Sequence, residues 1–67
     1  MEKADILNAA RKLEEDGQAF YLDTASKAKN GIARQTFESF AKDEGNHIRW
    51  IDEMLAGESN APSDAEA

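Results

Sequence analysis

Asp43-Glu44-Gly45-Asn46-His47-Ile48-Arg49-Trp50-Ile51 is the stretch whose reading decides the fold. It holds the only histidine of the 67-residue chain, three residues after a glutamate. On an α-helix, positions i and i+3 share a face, so Glu44 and His47 can hold a single ion between them. At about 100° per residue, Phe37, Phe40, Ile48, Ile51 and Leu55 fall on the same side as Glu44, which lies near the centre of that apolar arc. A carboxylate set among apolar side chains must be neutral, paired or metal-bound, because burying a bare charge is costly.

The pattern extends outward in both directions. Ile32 to Ala56 holds no proline and reads as one helix, ended by Gly57. Upstream, Ile6, Leu7, Ala10, Leu13, Gly17, Phe20, Tyr21, Thr24, Ala25 and Ala28 recur at spacings of three and four, over an arc of about 140°. Residues 3–29 are therefore expected as a long amphipathic helix, with Lys27 and Lys29 suiting its negative C-terminal end. Asn30-Gly31 reads as a stop signal, at which Gly or Asn supplies the left-handed residue that closes a helix. The expected fold is all-α: an antiparallel hairpin of helices 3–29 and 32–56, joined by a very short turn. Residues 57–67 are small and acidic, include Pro62, and are expected to form a disordered tail. Glu58, Asp64 and Glu66 stand there without a basic residue, which puts half of the net charge of -6 in the tail.

Sixty-seven residues allow one small domain with a modest core, and such chains generally rely on disulfides, a metal or another subunit. The absence of cysteine excludes disulfides and thiolate metal sites. Metal and oligomer remain, and both are expected. The negative charge argues against nucleic acid, whose phosphates would repel it. No apolar run approaches the roughly 20 residues that cross a bilayer, and Met1–Asp5 opens straight into a charged amphipathic segment rather than a targeting peptide. A soluble, cytoplasmic protein is the expectation. No heptad run is strict enough for a simple coiled coil, and no internal repeat is present. A two-helix hairpin leaves each apolar face half covered, and Phe20, Tyr21, Phe37, Phe40 and Trp50 ask for a partner surface. The simplest partner is a second copy, which gives a four-helix bundle from two chains.

Glu14 and Glu15 are adjacent but face differently. Glu14 lies beside Ala10, Gly17 and Tyr21 inside the apolar arc, whereas Glu15 points about 100° away, towards Arg11 and Gln18. Glu14 stands 16 residues before Asn30, and Glu44 and His47 stand 13 and 16 residues after Gly31. At roughly 1.5 Å per residue, all three fall at nearly the same height along the hairpin. Gly17 is one turn from Glu14, where a missing side chain lets the helices approach or leaves room for an ion. One chain thus offers two glutamates and a histidine. A di-iron carboxylate site uses two single glutamates and two Glu-x-x-His pairs. Two chains related by a two-fold axis supply that set, with Glu14, Glu44 and His47 each present twice, so a homodimer is the minimal unit.

Leu13-Glu14-Glu15-Asp16-Gly17-Gln18-Ala19-Phe20-Tyr21, followed by Phe37-Glu38-Ser39-Phe40-Ala41-Lys42-Asp43-Glu44-Gly45-Asn46-His47, resembles one half of a rubrerythrin or ferritin-like protein. In that superfamily the first-helix ligand glutamate precedes a tyrosine by seven positions, as Glu14 precedes Tyr21, and the second helix carries Glu-x-x-His. The resemblance covers about residues 5 to 55. Full rubrerythrins carry two such hairpins and usually a cysteine-rich rubredoxin-like domain. A single hairpin without cysteine is more similar to the encapsulated ferritins, two-helix proteins that build a ferroxidase site between subunits and are packaged inside encapsulin shells. Those proteins usually extend into a further helix and end in an apolar, basic targeting peptide, and Ser59–Ala67 provides neither.

The resemblance implies a ferroxidase that oxidises Fe(II) to Fe(III) at two irons per subunit pair, for iron storage or detoxification, in a larger even-numbered homo-oligomer and inside an encapsulin shell. Glu14 is then a terminal ligand, Glu44 bridges or chelates, and His47 gives the nitrogen. Zinc, manganese or cobalt suit the same donors. Tyr21 is either a hydrogen-bond donor to a ligand carboxylate or part of the core. Trp50 and Phe20 are expected in the interface. Asp16, Asp43 and Glu53 are expected to be solvated, from where they can guide Fe(II) to the site. Two alternatives stand beside this reading: a metal-stapled helical oligomerisation module without turnover, and a rubrerythrin-like half-domain that reduces peroxide with electrons from an external donor.

Overall fold

The computed structural model describes residues 2–60. It consists of two α-helices, α1 (Lys3–Lys27) and α2 (Gly31–Asn60), packed side by side as an antiparallel hairpin. Among the described residues there is no strand. The Cα trace measures 56 × 20 × 10 Å. Its thinnest dimension is about the diameter of one helix, so no third layer covers either face.

The turn differs from the sequence expectation in its chemistry. No residue there, glycine or otherwise, has a positive φ. Helix α1 ends at Lys27 because Ala28 is extended, with φ -73° and ψ 128°. Arg34 then caps it from the other helix, donating Nη2–H to the Ala28 carbonyl at 3.1 Å. Asn30 does not close α1; it opens α2. Its Oδ1 accepts from the backbone N–H of Ile32 at 2.8 Å and of Ala33 at 3.0 Å. These are two of the donors a helix start leaves without partners. Gly31 is accordingly the first residue of α2.

The far end of α2 is a second correction. The helix runs through Gly57 to Asn60 rather than ending at residue 56. A glycine stops a helix when it takes a left-handed conformation, and Gly57 does not. Inside a helix it costs only about 1 kcal/mol relative to alanine. The tail is expected from residue 57; residues 57–60 are helical instead, and 61–67 lie outside the described residues.

The buried core is small: Ala25, Ala41 and Ile51. Two alanines at the contact bring the helix backbones close but remove little apolar surface from water. The large apolar groups stay outside. Leu13 is 73% exposed, Phe20 62% and Trp50 53%, with Ile6, Phe40 and Met54 also exposed. They are ordered. Ile6, Leu13 and Phe20 are seven residues apart along α1, and Phe40, His47 and Met54 are seven apart along α2. Seven residues return to nearly the same side of a helix, so each helix carries an apolar stripe on the same broad face of the hairpin. The opposite face carries an ion pair between the helices, with Arg11 Nε 2.6 Å from Asp52 Oδ1 and Arg11 Nη2 3.2 Å from Asp52 Oδ2.

Near the turn, Tyr21 stacks with Phe37 and packs on Phe20 and Phe40, at centroid distances of 6.2, 5.7 and 5.3 Å. Offset and edge contacts of this kind add to the gain from area burial. Among the described residues no helix is long and apolar enough to cross a membrane.

Candidate metal centre

The two helices carry Glu14, Glu44 and His47 to one point. His47 Nδ1 lies 3.3 Å from Glu14 Oε2, across the hairpin, and 3.5 Å from Glu44 Oε1, one turn back on its own helix. One donor atom from each of the three falls within 4.8 Å of the others. This follows from helix geometry. The i, i+3 spacing puts Glu44 and His47 on one face, and equal distances from the turn put Glu14 opposite them. The three side chains are half-buried, with Glu14 28%, Glu44 20% and His47 41% exposed. They open on the broad face that carries the apolar stripes.

Neighbouring groups hold the arrangement. The Trp50 ring lies 5.4 Å from the His47 ring at an interplanar angle of 36°, one turn further along α2. It packs beside the imidazole, whose Nδ1 faces the carboxylates. Glu15 is not part of the cluster: its carboxylate lies 2.8 Å from Arg11 Nη1, on the flank where Arg11 also holds Asp52. That pairing raises the Arg11 guanidinium further above its already high value and lowers Asp52, chiefly through the hydrogen bond between them.

The two site carboxyls are electrostatically unequal. A hydrogen bond with Glu44 holds Glu14 below the usual carboxylate range, with His47 acting in the same direction against partial burial. The same hydrogen bond, burial and the charge on Glu14 hold Glu44 above it. Two carboxylates facing one point cannot both ionise freely unless a positive charge joins them. A divalent cation held by the three residues would supply that charge. Two carboxylate oxygens and an imidazole nitrogen are the donor set that suits iron, and equally zinc, manganese or cobalt.

Tyr21 lies about two turns from Glu14, within the aromatic cluster, and among the described residues no hydrogen bond joins its hydroxyl to the three site residues. Asp16 pairs with Lys12 at 2.7 Å in solvent, and Asp43 and Glu53 are exposed. Sequence reading passed over the contact of Trp50 with His47, for which the i, i+3 spacing was the available signal, and the Arg11–Asp52 pair, which joins residues 41 apart.

No curated protein and no solved structure matches this chain. Its residues 5–65 match the protein family Rubrerythrin, a span that takes in all of the three site residues and nearly the whole of the described hairpin, and the chain belongs to that family.

Proposed function

We propose that this chain oxidises Fe(II) to Fe(III) at a di-iron carboxylate centre shared between two copies, for iron storage or detoxification. The observation that carries the reading is the convergence of two carboxylates and an imidazole within 4.8 Å, on a face whose large apolar side chains are uncovered. Membership of the rubrerythrin family supports it, since rubrerythrins are iron-binding, di-iron oxidoreductases of ferritin-like fold.

One chain supplies three protein donors, enough for one ion and too few for two. A second copy across a two-fold axis doubles the set, and the Ile6-Leu13-Phe20 stripe with Phe40, Trp50 and Met54 offers it an apolar seat. The homodimer is then the unit that completes the site, and a larger even-numbered assembly builds on it. In this arrangement Glu14 would be a terminal carboxylate, Glu44 would bridge or chelate, and His47 would bind through Nδ1, the nitrogen that faces the carboxylates.

Iron is the substrate. Two Fe(II) give up one electron each; dioxygen takes the pair with two protons and leaves as hydrogen peroxide, or peroxide takes it with two protons and leaves as water. The residues bind and orient the ions, and the ionised carboxylates favour Fe(III) over Fe(II) because they neutralise the higher charge. The family membership also covers peroxide reduction, which differs in its reductant: this cysteine-free chain would draw electrons from a separate donor. Stopped-flow absorbance after mixing Fe(II) with the protein in air tests the proposal. Rapid, protein-dependent formation of Fe(III) supports it. Binding without oxidation leaves a metal-stapled oligomerisation module, and consumption of peroxide that turns over only with an added electron donor leaves the peroxide reductase.

A further inference from the structure

Two glycines face across the hairpin at the level of the metal centre. A methyl group placed on Gly17 would lie 2.9 Å from Oε2 of Glu44 and 3.6 Å from its Cδ. A methyl placed on Gly45 would lie 2.9 Å from Nε2 of Gln18. The two seats are reciprocal. Gly17 and Gln18 are neighbours on α1, Glu44 and Gly45 are neighbours on α2, and each glycine receives the polar side chain that adjoins the other. Gln18 uses its seat to donate Nε2–H to the Ala41 carbonyl at 3.1 Å, which fastens α1 to the buried surface of α2. Glu44 uses its seat to bring its carboxylate against Glu14 and His47.

The space, and not the backbone, is what these positions require. Neither glycine has a positive φ, so any residue fits the local conformation. Glycine in a helix interior is poorer than alanine, and both positions keep it. At Gly31 and Gly57, by contrast, an added methyl meets nothing within 4 Å. The obstacle at Gly17 is the end of a flexible side chain. Displacing it costs the fold little, because Glu44 can turn away, but it removes a donor from the centre. The room that the sequence assigned to helix approach or to an ion is filled by the carboxylate itself.

We propose that Gly17 is a positioning residue of the metal centre, its missing side chain forming the seat in which the Glu44 carboxylate faces Glu14 and His47. The proposal rests on the reading of those three residues as metal ligands. Gly45 provides a matched comparison, since a methyl there strikes Gln18 and meets neither Glu14 nor His47.

The experiment compares full-length wild type, Gly17→Ala, Gly45→Ala and the double variant Gly17→Ala with Glu44→Ala. Each is melted in chelator and titrated with Co(II) alone, followed by visible absorption. Metal-free Gly17→Ala melts no lower than wild type, yet binds Co(II) roughly 10- to 100-fold more weakly, as expected when the support of a ligand is lost, and its Co(II) spectrum changes. Gly45→Ala keeps the wild-type affinity and spectrum. Wild-type Co(II) binding by Gly17→Ala, or equal losses in the two single variants, overturns the proposal. If Gly17→Ala fails to fold, the double variant decides: recovery of its helicity supports the seat, because the methyl then conflicts only with Glu44, and no recovery overturns it. Absence of Co(II) binding by wild type removes the metal reading and this proposal together. Wild-type binding with an indifferent Gly17→Ala removes the seat alone.

Discussion

His47 Nδ1 lies 3.3 Å from Glu14 Oε2, although 33 residues and a chain reversal separate them. The contact exists because each residue stands 16 positions from the turn. Fold and site are therefore one design. The helices bring together two carboxylates that resist shared ionisation, and leave them on an apolar face that a hairpin of this size does not cover.

The two neighbouring glutamates separate site from surface. Glu14→Ala, Glu44→Ala and His47→Ala should each slow Fe(II) oxidation by more than the roughly 10- to 100-fold typical of losing a group one step removed from the metal. Glu15→Ala should stay near wild type, because Glu15 only pairs with Arg11. Stopped-flow absorbance of the four variants checks this. If Glu15→Ala is the inactive one, the assignment on α1 is wrong.

Glu44 should oppose the metal-free fold at neutral pH. Its carboxyl is raised in the folded state above the ordinary value of 4.5. A raised carboxyl contributes stability below its unfolded value and loses it as pH rises through the folded one. Metal-free Glu44→Gln should therefore melt higher than wild type at pH 7, with the difference fading as pH falls below about 4.5. Melts in chelator across pH measure it. A Glu44→Gln variant that melts lower at pH 7 would contradict the electrostatic picture.

Asp52 should behave with the opposite sign. Arg11 holds it below its ordinary 3.8, so its contribution is present above that value and is lost as pH falls through the folded one. The pair is solvent-exposed and the effect is small. Asp52→Asn should lower the melting temperature slightly at pH 7, should cease to do so once pH has fallen from 3.8 through the lower folded value, and should leave iron oxidation unchanged. A large loss of oxidation would mean that the far flank of the hairpin controls the centre.

Association should depend on the apolar stripes and on metal. Leu13 is among the most exposed side chains of the hairpin, so Leu13→Asp costs an isolated chain almost nothing. Sedimentation at micromolar concentration should show wild type as a dimer or larger even-numbered species, enlarged further by Fe(II) or Co(II) through linkage. Leu13→Asp should be shifted to monomer and should lose iron oxidation with it. A wild-type chain that sediments as a helical monomer with metal bound would refute the shared site.

The convergence of Glu14, Glu44 and His47 was legible in the sequence because a helix advances by a fixed rise, so counting from the turn gives height. The turn itself was read with its roles reversed. Asparagine serves at either end of a helix, and only the extended backbone of Ala28 decides that Asn30 starts α2. Gly57 misled in the same way, since residue type does not fix the φ that makes a glycine a stop. The two glycine seats were half visible. Gly17 stood out beside Glu14, but its occupant belongs to the other helix, and side-chain reach across a hairpin is not written in a periodicity.

Diffraction at the iron absorption edge from crystals grown with Fe(II) tests the central claim most directly. The account predicts two anomalous peaks for each pair of chains, each in contact with Glu14, Glu44 and His47 side chains, with both copies contributing to the centre. Peaks placed elsewhere, or iron held by the three residues of one chain with no second copy against the apolar face, would contradict it.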